Sequence, residues 1–230
     1  MTTRIPGSGI ATSNPFGLQW ISGQESSEHP DRVEERLFGR PPPPLLDRED
    51  EDCGPLLARL LPYKRKLAVI AQDRPEDYVL LLASSDTMAI DRQGVIYAGR
   101  NFLLRTASRF EVQVGAMGHE IGHRPKRWRL YREKNLRTQA EVDELCRLEE
   151  TRADFFAGYG LAQLELDIEP LCAYILEAMH QPHPAYFSAE LRADTLREGY
   201  EAGRRRRSNL AKFYPEFARM TNVQGDLGEG

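Results

Sequence analysis

His119-Glu120-Ile121-Gly122-His123 sets two imidazoles four residues apart with a carboxylate between them. On a helix, positions i and i+4 share a face, so both rings can reach one cation while Glu120 projects beside them. That arrangement suits activation of a water molecule: the imidazoles ligate a metal, and the carboxylate takes the water's proton. A catalytic zinc takes three protein ligands and keeps one position open, so a third ligand has to come from elsewhere in the chain. Glu150 and Asp154 are again i,i+4 neighbours, inside the charged run Glu149–Asp154. Glu150 is the candidate third ligand. Asp154 is the candidate carboxylate that takes the outer N–H of one histidine and fixes its tautomer. Without the upstream motif these two acids would read as a solvated helix face; with it, the two halves support each other.

Each of these residues needs a helix beneath it. Phe110, Val112, Val114, Met117 and Ile121 predict one that carries the motif and that Pro125 ends. Gly122 costs helix propensity and leaves room beside the metal face. Thr138 caps a long helix running to about Leu164, with Glu141 at the capping-box spacing. Further helices are expected over Glu169–Met179, Ala189–Arg204 and Asn209–Met220. Upstream, Leu56–Leu61 suggests a short helix. Leu67–Gln72 and Tyr78–Ala83 are β-rich runs separated by the turn signal Asp73–Asp77. Thr87–Ile90 and Val95–Ala98 form a hairpin through Asp91–Gly94. Strands first and helices after predict an α+β fold: a small antiparallel or mixed sheet with a hairpin, packed on a helical core. No internal repeat is present.

Residues 1–53 differ from the rest. Pro41–Pro44 is a four-proline run and Asp47–Asp52 is almost wholly acidic, so the segment is expected to be a flexible or loosely docked extension to a domain spanning 54–230. Phe16, Leu18, Trp20 and Ile21 form its one apolar cluster. Hydrophobic residues make up 40% of the chain and charged residues 29%, as in ordinary globular proteins. The net charge of -4 gives no reason to expect nucleic acid as a partner. The basic run Arg204–Arg207 suits the last turn of a helix. Trp128 and Tyr131 either line the cleft or pack. The best apolar run, Tyr78–Ala83, is far too short to span a bilayer, and the N-terminus lacks the apolar stretch of a signal peptide. Three cysteines, Cys53, Cys146 and Cys172, fit a reducing compartment, so the expected location is cytoplasmic. Oligomeric state and substrate identity are not encoded legibly.

The metzincin continuation would need Gly at position 126 and His at 129, where the chain has Lys126 and Arg129. H-E-I-G-H followed by E-x-x-A-D, Glu150 to Asp154, instead resembles the gluzincin metallopeptidases. The likeness is closest to the branch containing HtpX, the CAAX prenyl proteases and their soluble relatives. Thr87–Tyr97 resembles that branch's hairpin before the helix, Asp167–Pro170 its segment after the third ligand, and His183-Pro184 with Arg192 its late H-P…R motif. The resemblance covers roughly residues 60–200. It implies a zinc endopeptidase acting on protein or peptide substrates, with one zinc per chain on His119, His123 and Glu150. Glu120 is then the general base, and Arg192 or His183 stabilises the tetrahedral intermediate; His183, flanked by Pro182 and Pro184, can equally be a plain loop histidine. The strand Val95, Ile96, Tyr97 and Ala98 is the expected edge to which an extended peptide adds.

The chain departs from that branch in three ways. It lacks membrane-spanning helices, so substrates need not be membrane proteins. The gap from His123 to Glu150 is shorter and more like that of the ImmA/IrrE-type peptidases, which regulate repressors. Arg192 also lies further from His183-Pro184 than the pattern suggests. A regulatory protease of that second type is the alternative, although residues 1–50 hold no helix-turn-helix pattern. A non-catalytic interaction protein with a vestigial site is the third reading; the retained Glu120 speaks against it.

Overall fold

The computed structural model describes residues 32–125, 138–178 and 187–213, with side chains through Asn209. In chain order the elements are α1 (Arg32–Phe38), α2 (Gly54–Ile70), a 3-10 turn (Pro75–Asp77), β1 (Val79–Ala83), β2 (Met88–Ile90) and β3 (Val95–Gly99). They are followed by α3 (Arg100–Arg105), α4 (Phe110–Gly122), α5 (Gln139–Gln163), α6 (Glu169–Ala178) and α7 (Ala189–Phe213). The described residues thus form an α+β structure, mostly helical, with seven helices and one three-stranded mixed sheet. Among them, no helix is long and apolar enough to cross a membrane.

The helix that carries the motif forms where its apolar spacing requires. Val114, Met117 and Ile121 of α4 are fully buried against Leu67 of α2 and Phe156, Ala157 and Leu161 of α5. Thr138 caps α5 as expected: its Oγ1 accepts from Glu141 N–H at 3.2 Å while Glu141 Oε2 accepts from Thr138 N–H at 2.7 Å. Gly122 has a different reason from the one its place beside the motif suggests. A Cβ there would lie 3.0 Å from Ala153 Cα and 3.1 Å from Phe156 Cβ, so glycine is what lets α4 approach α5 closely. That approach brings Glu150 and Asp154 to the two histidines.

Two expected elements are different in the structure. Leu67–Gln72 is not a strand but the last turns of α2. Leu67 and Ala68 continue the buried face begun by Leu57 and Leu60, while Val69 stays 63% exposed, and this pattern has the period of a helix. Burial on α4 overrides the β-propensity of Val69 and Ile70. The helix stops where Gln72 adopts φ 60° and Asp73 N–H turns back to Ala68 O at 2.9 Å. Downstream, Ala189–Arg204 and the start of Asn209–Met220 are one continuous helix, α7; residues beyond Phe213 lie outside those described. A Cβ at Gly158 would overlap the Leu196 carbonyl, and one at Gly199 the Phe155 carbonyl, so α5 and α7 meet backbone to backbone. The basic run is solvated helix surface: Arg207 pairs with Glu165 and Arg204 with Glu201.

The packed structure also begins ahead of Gly54. Val33 and Cys53 are fully buried, and Phe38 is 4% exposed. Arg36 pairs with Asp143 of α5 at 2.5 Å, and Glu35 pairs with Arg92 of the β2–β3 turn. Leu46 N–H donates to Leu82 O at 3.0 Å and Ser84 N–H to Pro44 O at 2.8 Å, which covers the outer edge of β1. For residues 32–53 the expectation of a loosely docked extension therefore does not hold. Val33, Leu37 and Phe38 supply an apolar stripe too short to stand out among prolines and charges. The apolar cluster Phe16–Ile21 lies outside the described residues.

The hairpin turns as expected, with Gly94 at φ 83° and Asp91 Oδ1 accepting the Gln93 and Val95 N–H groups at 2.9 Å each. Strand order is β1-β3-β2, with β3 parallel to β1 and antiparallel to β2.

Candidate metal centre

α4 presents His119 and His123 on one face with ring centroids 4.8 Å apart and planes at 88°. α5 presents Glu150 to both: its Oε2 lies 3.1 Å from His119 Nε2 and 3.8 Å from His123 Nε2. One ligand atom from each of the three residues falls within 4.8 Å of the others, close enough to hold one metal ion. The donor set, two imidazole nitrogens and a carboxylate, suits zinc with a position left open. Glu150 Oε2 is buried and no hydrogen-bond donor among the described residues meets it with good geometry. Its nearest polar neighbours are the two imidazole nitrogens, so a cation between them and Glu150 would meet all three donors.

The supporting contacts fix the ligands. His119 Nδ1 sits 2.8 Å from Asp154 Oδ1, so its Nε2 faces Glu150. Asp154 in turn accepts Arg192 Nε at 2.7 Å and Nη2 at 2.8 Å in a two-pronged pair. Nε and Nη2 of Arg192 thus meet the carboxylate that lies against His119, and the arginine also lines the apolar hollow beside the site. Arg152 Nη2 donates to His123 O at 3.2 Å and holds the end of α4. Phe38 packs edge-on against His123 with centroids 5.8 Å apart. His183, Trp128 and Tyr131 lie outside the described residues.

Replacing Asp154 with asparagine should weaken metal binding ~10–100-fold, because the amide no longer offers a charged acceptor to both His119 and Arg192. A competitive chelator titration checks it, and unchanged affinity would mean that the α4 backbone alone sets the His119 ring.

Charge is unevenly distributed over the site. Burial pushes Glu120 up to about 7, against the opposing pull of His119 and of the Ile90 backbone N–H that reaches its carboxylate. Burial draws His123 down to about 3. For His119 burial acts in the same direction, but Asp154 and Glu150 outweigh it and hold the ring up at about 10. The metal-free protein at neutral pH therefore carries a proton on His119 and none on His123. Ligation requires the neutral ring, so metal binding should release close to one proton, and apparent affinity should fall about tenfold per unit as pH drops from 9 to 7. Calorimetry in buffers of different ionisation enthalpy reads the proton directly.

Two hollows meet at Thr87, Met88, His119 and Glu120. One, of about 300 Å³, is lined mainly by apolar groups including Phe102, Leu171, Tyr174 and Ile175. The other, of about 220 Å³, runs between β2 and the segment Arg40–Pro43, with His123 and Glu150 at its floor. Val95–Ala98 is not a free edge: as the central strand, β3 is hydrogen-bonded on both sides. Among the described residues, β2 is the sheet edge beside the site that no strand pairs. Asp91 N–H donates to Val95 O and Gly99 N–H to Thr87 O, so Thr87, Ala89 and Asp91 face β3. Met88 and Ile90 then turn their backbone groups outward. Sequence reasoning missed the Arg40–Pro43 wall, Phe38 and the Ile90 amide. All three depend on strand order and on a proline run that carries no periodic signal.

No protein family, curated protein or solved structure matches this chain.

Proposed function

We propose that the protein is a zinc-dependent endopeptidase of gluzincin type, with a zincin-like core formed by α4, α5 and the sheet beside them. The observation that carries this reading is the convergence of His119, His123 and Glu150 on one point, with Glu120 beside them at the meeting of two hollows. Zinc held by these three ligands would polarise a carbonyl and acidify a water. Glu120, at the meeting of the two hollows beside the ligands, is placed to take the proton of that water and return it to the leaving amine. The outward backbone groups of Met88 suit an extended peptide laid along β2, while the Ile90 N–H is taken by Glu120. The apolar hollow suits a large side chain next to the bond that breaks, and the two hollows together suit cleavage within a chain.

The test is hydrolysis of casein and a mixed peptide library by zinc-loaded protein, before and after chelation and after zinc is restored. Cleavage that disappears with the metal and returns with it supports the proposal. Cleavage indifferent to chelation, or none at all with zinc bound, would sink it.

A further inference from the structure

We propose that Arg40 determines specificity, selecting peptides that carry a Glu or Asp side chain on one side of the bond cleaved. The inference rests on the peptidase reading above and deepens it by naming the substrate class.

The smaller hollow has β2 on one side and Arg40–Pro43 on the other. Pro41, Pro42 and Pro43 offer carbonyls but no N–H, so this wall can accept but not donate to a peptide backbone, and the charge it presents is that of Arg40. Two arginines line the hollow. Arg36 is half-buried and bound to Asp143 at 2.5 Å. Arg40 is exposed and has no carboxylate partner among the described residues. Of the acids lining the same hollow, Asp91 accepts the Gln93 and Val95 N–H groups and, at 2.8 Å, the Tyr97 hydroxyl. Glu150 and Glu120 face the metal position. Arg40 is left with a planar fork of donors that fits a carboxylate with two parallel hydrogen bonds. Pro41 restricts the Arg40 backbone to extended conformations, which limits the direction in which its side chain leaves the wall.

A pair at an exposed rim is worth only a few-fold in rate. For the full-length, zinc-loaded protein, a peptide library varied among Glu, Gln and Lys at each position flanking the cut should show one position where Glu exceeds Gln about fivefold in kcat/KM. The preference should fade between low and high salt. Arg40→Glu should reverse it in favour of Lys, while Arg205→Glu, a reversal on the exposed face of α7, should leave it as it is. A wild-type preference in Arg40→Glu, or no position that separates Glu from Lys, would overturn the proposal. Absence of any cleavage above the Glu120→Gln blank is instead a failure of the peptidase reading. Anisotropy of labelled Glu and Lys peptides on the zinc-loaded protein then still decides the charge preference.

Discussion

Glu150→Ala is expected to bind zinc at least about 100-fold more weakly than the wild type while keeping its secondary structure. Loss of a direct ligand should exceed the ~10–100-fold cost of losing an outer contact. Glu150 is 6% exposed and supplies the sole α5 oxygen in the three-residue cluster. Burial opposes ionisation, but the charges facing it, His119 and Arg192 among them, outweigh burial and keep its carboxyl below the usual range, so it is ionised and ready to ligate at neutral pH. Its removal leaves two imidazoles, which hold zinc poorly without a third donor. Metal analysis after dialysis, together with circular dichroism, separates loss of zinc from loss of fold. A variant that retains stoichiometric zinc would place the third ligand elsewhere.

A chain beginning at Gly54 is expected to fold poorly, with a melting temperature more than about 10 °C below that of the full chain. Burial of a Val or Phe side chain is worth ~1.5–3 kcal/mol, and removing residues 1–53 strips both Val33 and Phe38 from the core. The cover on β1 and the Arg36–Asp143 pair go with them. Net stabilities of ~5–15 kcal/mol leave little room for such a loss. A chain beginning near residue 30 keeps every one of these contacts and should melt close to the full length. Equal melting of the Gly54 chain would show that α1 docks without stabilising.

The legible features were those written in local spacing. Pro125 closes the motif helix, Thr138 with Glu141 opens the next one, and Asp91 with Gly94 makes the hairpin turn. His119, His123 and Glu150 meet because i,i+4 geometry presents each pair of residues on a face, and Gly122 with Ala153 lets the two faces touch. What could not be read locally was sheet order: nothing in Val95–Ala98 says that β1 returns to pair with it in parallel. That β2 and not β3 lies at the edge of the sheet is a tertiary fact. The N-terminal wall was hidden for another reason. Prolines and charges usually mark solvated chain, and only the burial of Val33 and Phe38 shows that here they frame a cleft. Leu67–Gln72 misleads because β-branched residues sit at the end of a helix whose other face is buried.

The most direct test of the site is one preparation of Glu120→Gln in which both zinc content and turnover are measured. Glu120 lies beside the three-residue ligand cluster and is assigned proton transfer, and the amide is of the same size but cannot take a proton. The expected result is about one zinc per chain, as in the wild type, with hydrolysis reduced ~10²–10⁴-fold. Full activity in Glu120→Gln, or loss of zinc in step with loss of activity, would contradict the assignment of Glu120 as base and of His119, His123 and Glu150 as the complete ligand set.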